Sequence, residues 1–471
     1  MSTNTVNSDW VNQESDVKNC YLNVGGHFNE DSAYNTYELY SKDCFDNWWI
    51  LKSELSYENV NCERCYKTLF SKDCFDCRET VFSYDCRNCN NIFGCAGLRN
   101  KQYCVFNKQL SKEEYQEFIK NDSVRSFKNL KKLKEQAEKI WLSIPHKDKH
   151  IVKSIDSIGN AIVESKKCVN CWQVEKNEDC KHQYFCAYLK DVYDASAFGW
   201  GELCYECASS AGYYDSKFVT YGFAGGDGVH SSSVEYVYSA PSCRNCFGCA
   251  NIKNKEYYIL NKQYTKEEYE ELLPKIKKHM SDMPYVDKKG RVYKYGEFFP
   301  IELSPFGYNE TTAQDYFPLN REEALEKGYL WNDYETDANY KFSDYEIPDD
   351  IKDVEDDILE KVLKCEVSGR PYKIIPMELE FYRKIGLPIP RRAPLQRHKD
   401  RLAKLLPRKL FDKMCQCEGG KGTNRESQIT YINTTAHFHG DDACPNQIKT
   451  PYAPEKPEIV YCEACYQAEI T

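Results

Sequence analysis

Cysteine pairs recur at every twelfth position in the first part of this chain, and this period constrains the fold more than any other feature. Three Cys-x-x-Cys pairs follow one another at this spacing: Cys62/Cys65, Cys74/Cys77 and Cys86/Cys89. A later cysteine-rich region has the same spacing between Cys168 and Cys180. Segments of this length can form one small turn of a β-solenoid, whose turns pair like strands about 4.8 Å apart. The sequence therefore predicts a mainly β fold with flanking α-helices, built from cysteine-rich β-solenoid-like repeats.

The two cysteine-rich regions are copies of one another. Residues 93–115 and 247–269 are identical at 14 of 23 positions when aligned without gaps. Such similarity indicates an internal duplication. Each copy ends in a capping-box pattern, Ser111 with Glu114 and Thr265 with Glu268, which predicts that a helix begins there. Apolar residues at helical spacing continue the first helix to Trp141, and Pro274 is expected to kink or divide the second.

Cysteine blocks and charge runs divide the 471 residues into seven segments. The predicted order is a first β-solenoid copy (1–110), an amphipathic helical segment (111–145), a second copy (150–263), a helix with a Tyr/Phe/Pro-rich packing segment (264–343), an acidic linker (344–364) and two small C-terminal modules (365–407 and 408–471). The last module carries the pattern of a zinc ribbon.

Short cysteine spacings near the C-terminus predict a metal site. Zinc is bound by four thiolates or imidazoles in a tetrahedron, and two short cysteine pairs on facing turns can supply them. The predicted ligands are Cys417, Cys444, Cys462 and Cys465. Three further residues are candidates for substitute ligands or for a second site: Cys415, His437 and His439. A closed structural Zn²⁺ site is favoured over a catalytic one, and further ions remain open.

The repeat cysteines allow three interpretations. The first is a ladder of reduced, buried thiols that pack as small hydrophobic groups. The second is metal binding by pairs on adjacent turns, with Cys62, Cys65, Cys74, Cys77, Cys86 and Cys89 as candidate ligands, and the third is disulfide formation. The sequence begins with no export signal, and no stretch has the length of a membrane span. A reducing, cytoplasmic location is expected, which favours the ladder.

A basic region close to the predicted ribbon is the candidate contact surface for nucleic acid. Its candidate residues are Arg391, Arg392, Arg397, Lys399, Arg401, Lys404, Arg408 and Lys409. Such a cluster can neutralise phosphates. The alternative is a solvated helix face balanced by the acidic segment 344–364. The net charge of −10 argues against a chain that is basic throughout.

The sequence contains no recognisable catalytic constellation, so it favours a non-enzymatic protein. The predicted function is that of a zinc-binding structural or interaction protein, whose Tyr- and Asn-rich repeat faces bind a protein partner. The alternative is a binder of nucleic acid or ribonucleoprotein that acts through the basic region and the ribbon. A hydrolase or nuclease is the third and least favoured class.

Several long motifs resemble those of a known family. They are the Asn-Lys-Gln-x-Ser/Thr-Lys-Glu-Glu-Tyr segments, residues 296–305, Glu378–Tyr382 with Leu387 and Pro388, and the tail from Cys444 to Asn446 and from Tyr461 to Gln467. On these motifs most of the chain resembles a family of cysteine-rich zinc-ribbon proteins of ultrasmall candidate-phylum bacteria, to which no activity is assigned.

The chain departs from this family pattern in its penultimate module. The resemblance implies a Cys-x-x-Cys pair before Glu378–Tyr382 and a Cys-Pro-x-Cys-Arg segment after it. Cys365-x-x-Ser368 and the segment Ala393–Arg397 stand at these places. Three of the four implied ligands are missing. The resemblance therefore predicts that 365–407 is a degenerate, folded ribbon without metal, and that 408–471 keeps its ligands.

Overall fold

The computed structural model describes residues 2–121, 124–196, 231–333, 341–419 and 431–470, together with the backbone of three short strands within 208–222. Within these ranges the chain is mostly β, with eight α-helices and several separate sheets. We call residues 2–110 the first array and the described parts of 150–263 the second array. The remaining part of the predicted second copy, within 197–230, lies outside the described residues.

The first array consists of short parallel strands, with one antiparallel strand at its end. Its strands are Thr3–Val6, Asn12–Lys18, Val24–His27, Thr36–Leu39, Lys42–Phe45, Trp48–Leu51, Glu54–Tyr57, Val60–Glu63, Tyr66–Leu69, Arg78–Val81, Asn90–Phe93, Gln102–Val105 and Lys108–Gln109. Parallel partners are offset by the predicted period, as in Arg78 opposite Asn90 and Asn90 opposite Gln102. The period of the cysteine pairs is therefore the register of strand pairing.

Backbone conformation in the first array has a second period, of three residues. From Asn4 to Phe106 every third residue has a positive φ, between 47° and 72°. Each period therefore contains four residues with a left-handed backbone, and we call each of these positions a corner. A left-handed conformation costs a non-glycine residue about 1–2 kcal/mol. Backbone hydrogen bonds between successive repeats offset this cost, as from Phe82 N to Leu69 O at 2.9 Å.

Asparagines of the first array form a buried ladder. Asn23, Asn35, Asn47 and Asn59 follow one another at the same period, and all are shielded from solvent. The Oδ1 atom of each accepts a hydrogen bond from the backbone N–H at the equivalent position of the next repeat, as from Asn47 N to Asn35 Oδ1 at 2.9 Å. These asparagines satisfy buried backbone groups. The expectation that the asparagines lie on an exposed binding face is wrong for these four.

The array cysteines line the interior beside this ladder. The 23 described cysteines of the chain are all free and all buried. The Cys77 thiol donates to the carbonyl of Phe75 at 3.3 Å and to that of Cys86, in the next repeat, at 3.4 Å. Burial raises the pKa of Cys74 well above its ordinary value, which keeps this thiol protonated. Reduced, buried thiols of this kind are what the thiol-ladder interpretation describes.

The second array repeats the strand pairing of the first. Its strands are Ile151–Val152, Ile158–Val163, Val169–Glu175, Tyr184–Ala187, Ala208–Ser210, Tyr213–Tyr214, Thr220–Gly222, Ser231–Glu235, Arg244–Phe247, Glu256–Ile259 and Lys262–Gln263. Trp172 lies opposite Tyr184, and Arg244 lies opposite Glu256, which is the same offset as in the first array. The duplication seen in sequence is therefore also present in the backbone.

The helices follow or connect the arrays. They are α1 (Lys112–Asn121), α2 (Phe127–Leu142), α3 (Lys266–Asp282), α4 (Thr312–Tyr316), α5 (Arg321–Glu326), α6 (Pro376–Ile385), α7 (Pro394–Leu402) and α8 (Glu463–Ile470). Both predicted capping boxes are present, since Glu114 N donates to Ser111 Oγ at 3.1 Å and Glu268 N donates to Thr265 Oγ1 at 3.2 Å. Pro274 lies within a single helix, α3, and does not divide it. None of the helices in the described segments has the length and apolar character required to cross a bilayer.

Among the described residues, four pairs of short strands lie outside the arrays. Three are antiparallel: Tyr285–Val286 with Val292–Tyr293, Leu363–Lys364 with Pro371–Tyr372, and Phe411–Met414 with Gln447–Thr450. The fourth is a parallel pair of His146–Lys147 with Val460–Tyr461. It joins the segment after α2 to the C-terminal module.

The acidic segment 344–364, predicted as a linker, packs against the rest of the protein. It contains two 3-10 helices, Ile351–Asp353 and Asp356–Glu360, and its apolar side chains Ile351, Val354 and Ile358 are buried. Helices α6 and α7 follow it and cover one side of the first array, where Phe381 stacks on Phe45 with ring centroids 4.1 Å apart. The segment 365–407 is therefore folded.

Two glutamates are buried inside the first array next to the asparagine ladder. Glu38 accepts hydrogen bonds from Asn23 and Asn35 at 3.0 and 2.9 Å, and Glu14 accepts one from Asn29 at 3.4 Å. Burial raises the pKa of Glu14 to about 8, although the bond from Asn29 opposes the shift. Burial also raises the pKa of Glu38 well above its ordinary value. Both carboxyls are therefore neutral at mildly acidic pH.

The stability of the first array should fall as the pH rises from about 4.5 to about 8. Between these values Glu14 binds a proton in the folded chain and none in the unfolded chain, so each pH unit costs up to about 1.4 kcal/mol. Glu14→Gln should remove the contribution of Glu14 to this slope, leaving that of Glu38, and should raise the free energy of unfolding at pH 8 by about 2–4 kcal/mol. Urea unfolding at pH 5 and pH 8, followed by tryptophan fluorescence, measures the effect. The exposed Glu54→Gln is the matched control, and equal pH slopes in all three proteins would contradict the assignment.

Candidate metal centre

Three short strands bring the C-terminal cysteines to one place. Cys415 directly follows the strand Phe411–Met414, whose last residue pairs with Gln447. This pairing holds Cys415 close to the loop that contains Cys444, and Cys415 N donates to Asn446 O at 2.9 Å. Cys462 directly follows the strand Val460–Tyr461, and Cys465 lies in the first turn of α8.

Four thiols form the first group of donors. Their sulfur atoms all lie within 4.8 Å of one another, and the residues are Cys415, Cys444, Cys462 and Cys465. All four are buried. The Sγ atoms of Cys444 and Cys462 are 3.9 Å apart. Tetrahedral zinc with Zn–S bonds of about 2.3 Å separates its sulfurs by about 3.8 Å, so the group matches a four-thiolate site.

Two thiols and two imidazoles form the second group. Its donor atoms also lie within 4.8 Å of one another, and the residues are Cys417, His437, His439 and Cys465. Nδ1 of His437 is 3.6 Å from the sulfur of Cys417, and Nε2 of His439 is 3.3 Å from the sulfur of Cys465. Cys465 belongs to both groups, and the other six residues belong to one group each.

Hydrogen bonds from neighbouring groups support the donors. Asn433 Nδ2 donates to the sulfur of Cys417 at 3.3 Å, and Asn446 Nδ2 donates to that of Cys462 at the same distance. The backbone N–H of Cys462 donates to the sulfur of Cys415 at 3.2 Å. Donors that point at sulfur stabilise thiolates over thiols, as a metal site requires.

A buried carboxylate orients one of the imidazoles. Glu469, on α8, contacts Nε2 of His437 at 2.8 Å, and both side chains are fully buried. Burial opposes ionisation of Glu469, but hydrogen bonds from Thr434 and Tyr431 outweigh it and lower the pKa to about 2. A carboxylate on one ring nitrogen leaves the other free to bind metal, an arrangement common around metal-bound histidines.

Two of the thiols are strongly biased towards ionisation. The hydrogen bond from Cys465 lowers the pKa of Cys417 to about 5, against the opposing effect of burial. Hydrogen bonds from Cys415 and Cys465 likewise lower the pKa of Cys462. The thiolate is the form of cysteine that binds metal. These groups could therefore hold a metal ion of the kind that prefers sulfur and nitrogen ligands.

The structure groups the predicted ligands differently from the sequence prediction. Cys415, predicted as a substitute, lies with Cys444, Cys462 and Cys465, while Cys417 lies with the two histidines. The two cysteines are separated by one residue, so neither sequence spacing nor composition distinguishes them as ligands. Spacing alone gives no indication of which of them lies nearer to Cys444.

The predicted candidate ligands in the first array lie apart from this centre. Cys62, Cys65, Cys74, Cys77, Cys86 and Cys89 belong to one buried row inside the array. Within the described parts of the two arrays, no three cysteine, histidine or acidic donors come as close together as those of the C-terminal groups. The array thiols bond instead to backbone carbonyls, as Cys65 does to Glu63 and Cys74.

All five arginines of the predicted basic contact surface have partners within the chain. Arg397 and Arg401 are buried and pair with Asp46. Arg392 pairs with Glu366 and Asp400. Arg391 donates to Pro348 O and lies over Phe127, and Arg408 lies over three aromatic rings. Of the lysines, Lys404 is half-buried, and Lys399 and Lys409 are exposed. This leaves few of the eight cations available to a polyanion.

Comparison with known proteins adds no functional assignment. No protein-family model matches the chain, and no curated protein matches it. Among solved structures, a "putative acetyltransferase" from Desulfovibrio desulfuricans G20 aligns at 10% identity over 61% of this chain and 85% of that chain, with a TM-score of 0.11. A TM-score of that size carries no argument about fold or activity.

Proposed function

We propose that this chain is a zinc-binding structural protein, whose C-terminal metal module (residues 408–470) fastens onto the first array. The supporting observation is that metal donors and docking contacts alternate along residues 459–466. Ile459 O and Tyr461 O accept hydrogen bonds from the backbone of His146 and Asp148, at 2.7 and 2.9 Å. These two residues lie in the segment after α2, which contacts the first array through His146 Nδ1 and the Tyr84 hydroxyl, 2.9 Å apart. The next residue, Cys462, is a donor of the four-thiol group.

The contacts of α8 continue this alternation. Cys465 is a metal donor, and the next residue, Tyr466, hydrogen-bonds to Asp85 and Arg99 of the first array. Glu463, between the two cysteines, pairs with Lys147 at 2.6 Å. A metal ion that fixes Cys462 and Cys465 therefore also fixes the side chains that hold the module on the array. Zinc suits the role because four thiolates satisfy its preferred tetrahedron, and it has no redox chemistry.

In this proposal the arrays are the scaffold, and the metal module docks onto the first of them. We infer that each is a β-solenoid. In the first array the constant offset between parallel partners and the left-handed residue at every third position are what a stack of small turns requires. In the second array the partners that follow the register shift near Gly159 have the same offset, as Trp172 opposite Tyr184 and Arg244 opposite Glu256. A protein partner would bind the outer surface, where the exposed rings of Phe28 and Tyr40 stack with centroids 4.9 Å apart.

Removal of zinc should release the metal module from the array. In the metal-free chain we expect the backbone amides of His146 and Asp148 to lose protection from hydrogen exchange. The reason is that their acceptors belong to a segment whose fold depends on the metal, and structural zinc contributes about 10–16 kcal/mol in small modules. Amides inside the array, such as that of Phe82 bonded to Leu69 O, should stay protected. Mass spectrometry of exchanged peptides, before and after chelation, measures both regions.

Elemental analysis and a matched pair of variants complete this test. Cys462→Ser should lose the zinc of the four-thiol group and with it the protection of His146 and Asp148, whereas Cys104→Ser, at a buried array thiol, should keep both the zinc and the protection. Protein that is isolated without zinc, or metal-free protein that retains full protection at His146 and Asp148, would contradict the proposal.

A further inference from the structure

We propose that the metal module binds two ions of the zinc type, and that the Cys465 thiolate bridges them. The inference rests on the proposed function and extends it from one ion to a two-metal cluster. The observation behind it is that both donor groups are complete with four ligands each, yet they contain seven residues in total, because Cys465 is common to both. A thiolate sulfur has more than one lone pair and can bind two metal ions.

The second group has the dimensions of a separate tetrahedral site. Zn–S bonds of about 2.3 Å and Zn–N bonds of about 2.0–2.1 Å place sulfur and nitrogen about 3.5 Å apart around one tetrahedral ion. The observed separations are 3.6 Å between Cys417 and His437 and 3.3 Å between His439 and Cys465. The second group therefore fits an S₂N₂ site as closely as the first fits an S₄ site.

Both imidazoles are held with one nitrogen directed at the thiols. Nδ1 of His439 donates to Asp442 O at 2.6 Å, which leaves Nε2 as the nitrogen that faces Cys465. His437 is held in the opposite sense, with Nε2 on Glu469 and Nδ1 facing Cys417. Each ring thus has an acceptor on one side and a thiol on the other. This pattern fixes the tautomer of a metal ligand.

Charge also favours two ions over one. The seven donors include five cysteines, so five thiolates surround the metals when all of them bind. Counting the five thiolates and the buried Glu469 carboxylate beside His437, one divalent ion leaves a net charge of about −4 in a buried region, whereas two leave about −2. The second ion therefore lowers the cost of burying the thiolates, and its histidines add no charge.

The test is a titration of the metal-free full chain with Co²⁺ alone, followed by electron paramagnetic resonance. We expect two ions to bind per chain. Two Co²⁺ ions that share a thiolate couple magnetically, so the signal per ion should fall as the second ion binds. Elemental analysis of the zinc-loaded chain should give the same stoichiometry.

Variants assign the second ion to its ligands. The double variant His437→Ala/His439→Ala should bind one ion, show an undiminished signal per ion and keep the protection of His146 and Asp148. His279→Ala, at an exposed histidine on α3, should still bind two. Three results would overturn the shared site while leaving the proposed function intact: a wild-type chain that binds one ion, two ions without loss of signal, or a double variant that still binds two. A wild-type chain that binds none would overturn both.

Discussion

Replacing Asp46 with asparagine should lower the free energy of unfolding by about 3–5 kcal/mol. Asp46 is fully buried in the first array, and its two carboxylate oxygens pair with Arg401 at 2.8 Å and with Arg397 at 3.2 Å. Both arginines, on α7, are 1% exposed. Asparagine keeps the shape and tolerates the left-handed backbone at this position. The substitution leaves the two buried guanidinium groups with only one buried carboxylate as a partner, that of Glu378.

A neighbouring position supplies the matched control for this experiment. Asp43 lies one corner earlier, has the same left-handed conformation and also pairs with a cation of the C-terminal half, Lys384, at 3.0 Å. The Lys384 side chain is half exposed, and pairs of this kind contribute at most about 1 kcal/mol. Asp43→Asn should therefore have a small effect. Urea unfolding of both variants, with zinc in excess, compares a buried pair with an exposed one.

A double-mutant cycle separates the charge from the packing. If Asp46→Asn destabilises because Arg401 is left unpaired, adding Arg401→Met should recover part of the loss. Additive effects of the two substitutions, or an Asp46→Asn variant as stable as Asp43→Asn, would show that the pair is not a source of stability.

The features that the sequence predicted correctly are local or strictly periodic. Both helix starts depend on two residues three positions apart, so Ser111 with Glu114 and Thr265 with Glu268 could be recognised without knowledge of the fold. The long period is visible because successive repeats place buried cysteines at equivalent positions. The three-residue period cannot be recognised in the sequence, because the corners carry many residue types, among them Trp49, Phe70 and Lys52.

The predictions that differ from the structure concern partners far apart in the chain. Arg397 and Arg401 belong to a basic run that suggests a surface for phosphates. Their partner Asp46 lies in the first array, at the other end of the chain, and nothing near either position indicates the pairing. The presence of Cys415 rather than Cys417 in the four-thiol group also depends on distant partners. The pairing of Met414 with Gln447 decides which of the two cysteines faces Cys444. The seven donor residues could be identified from composition and spacing, but their division into two groups could not.

Replacing Phe185 with alanine should separate the two arrays and cost about 3–5 kcal/mol. Phe185 projects from the second array into an aromatic cluster of the first, with its ring centroid 4.6 Å from Tyr37 and 6.0 Å from Trp48. The Arg408 guanidinium lies 4.3 Å from the Phe185 centroid and 3.6 Å from that of Tyr316 on α4. The substitution leaves a large cavity and removes one face of a desolvated cation–π contact.

The next corner of the same array carries the control residue. Tyr188 also has a left-handed backbone and an aromatic ring, but its side chain is 48% exposed and contacts Lys176. Tyr188→Ala should therefore change the free energy of unfolding by less than about 1 kcal/mol. Small-angle X-ray scattering should show a larger radius of gyration for Phe185→Ala only, because the cluster joins the arrays where they contact each other. Equal scattering and equal urea midpoints for the two variants would mean that other contacts hold the arrays together.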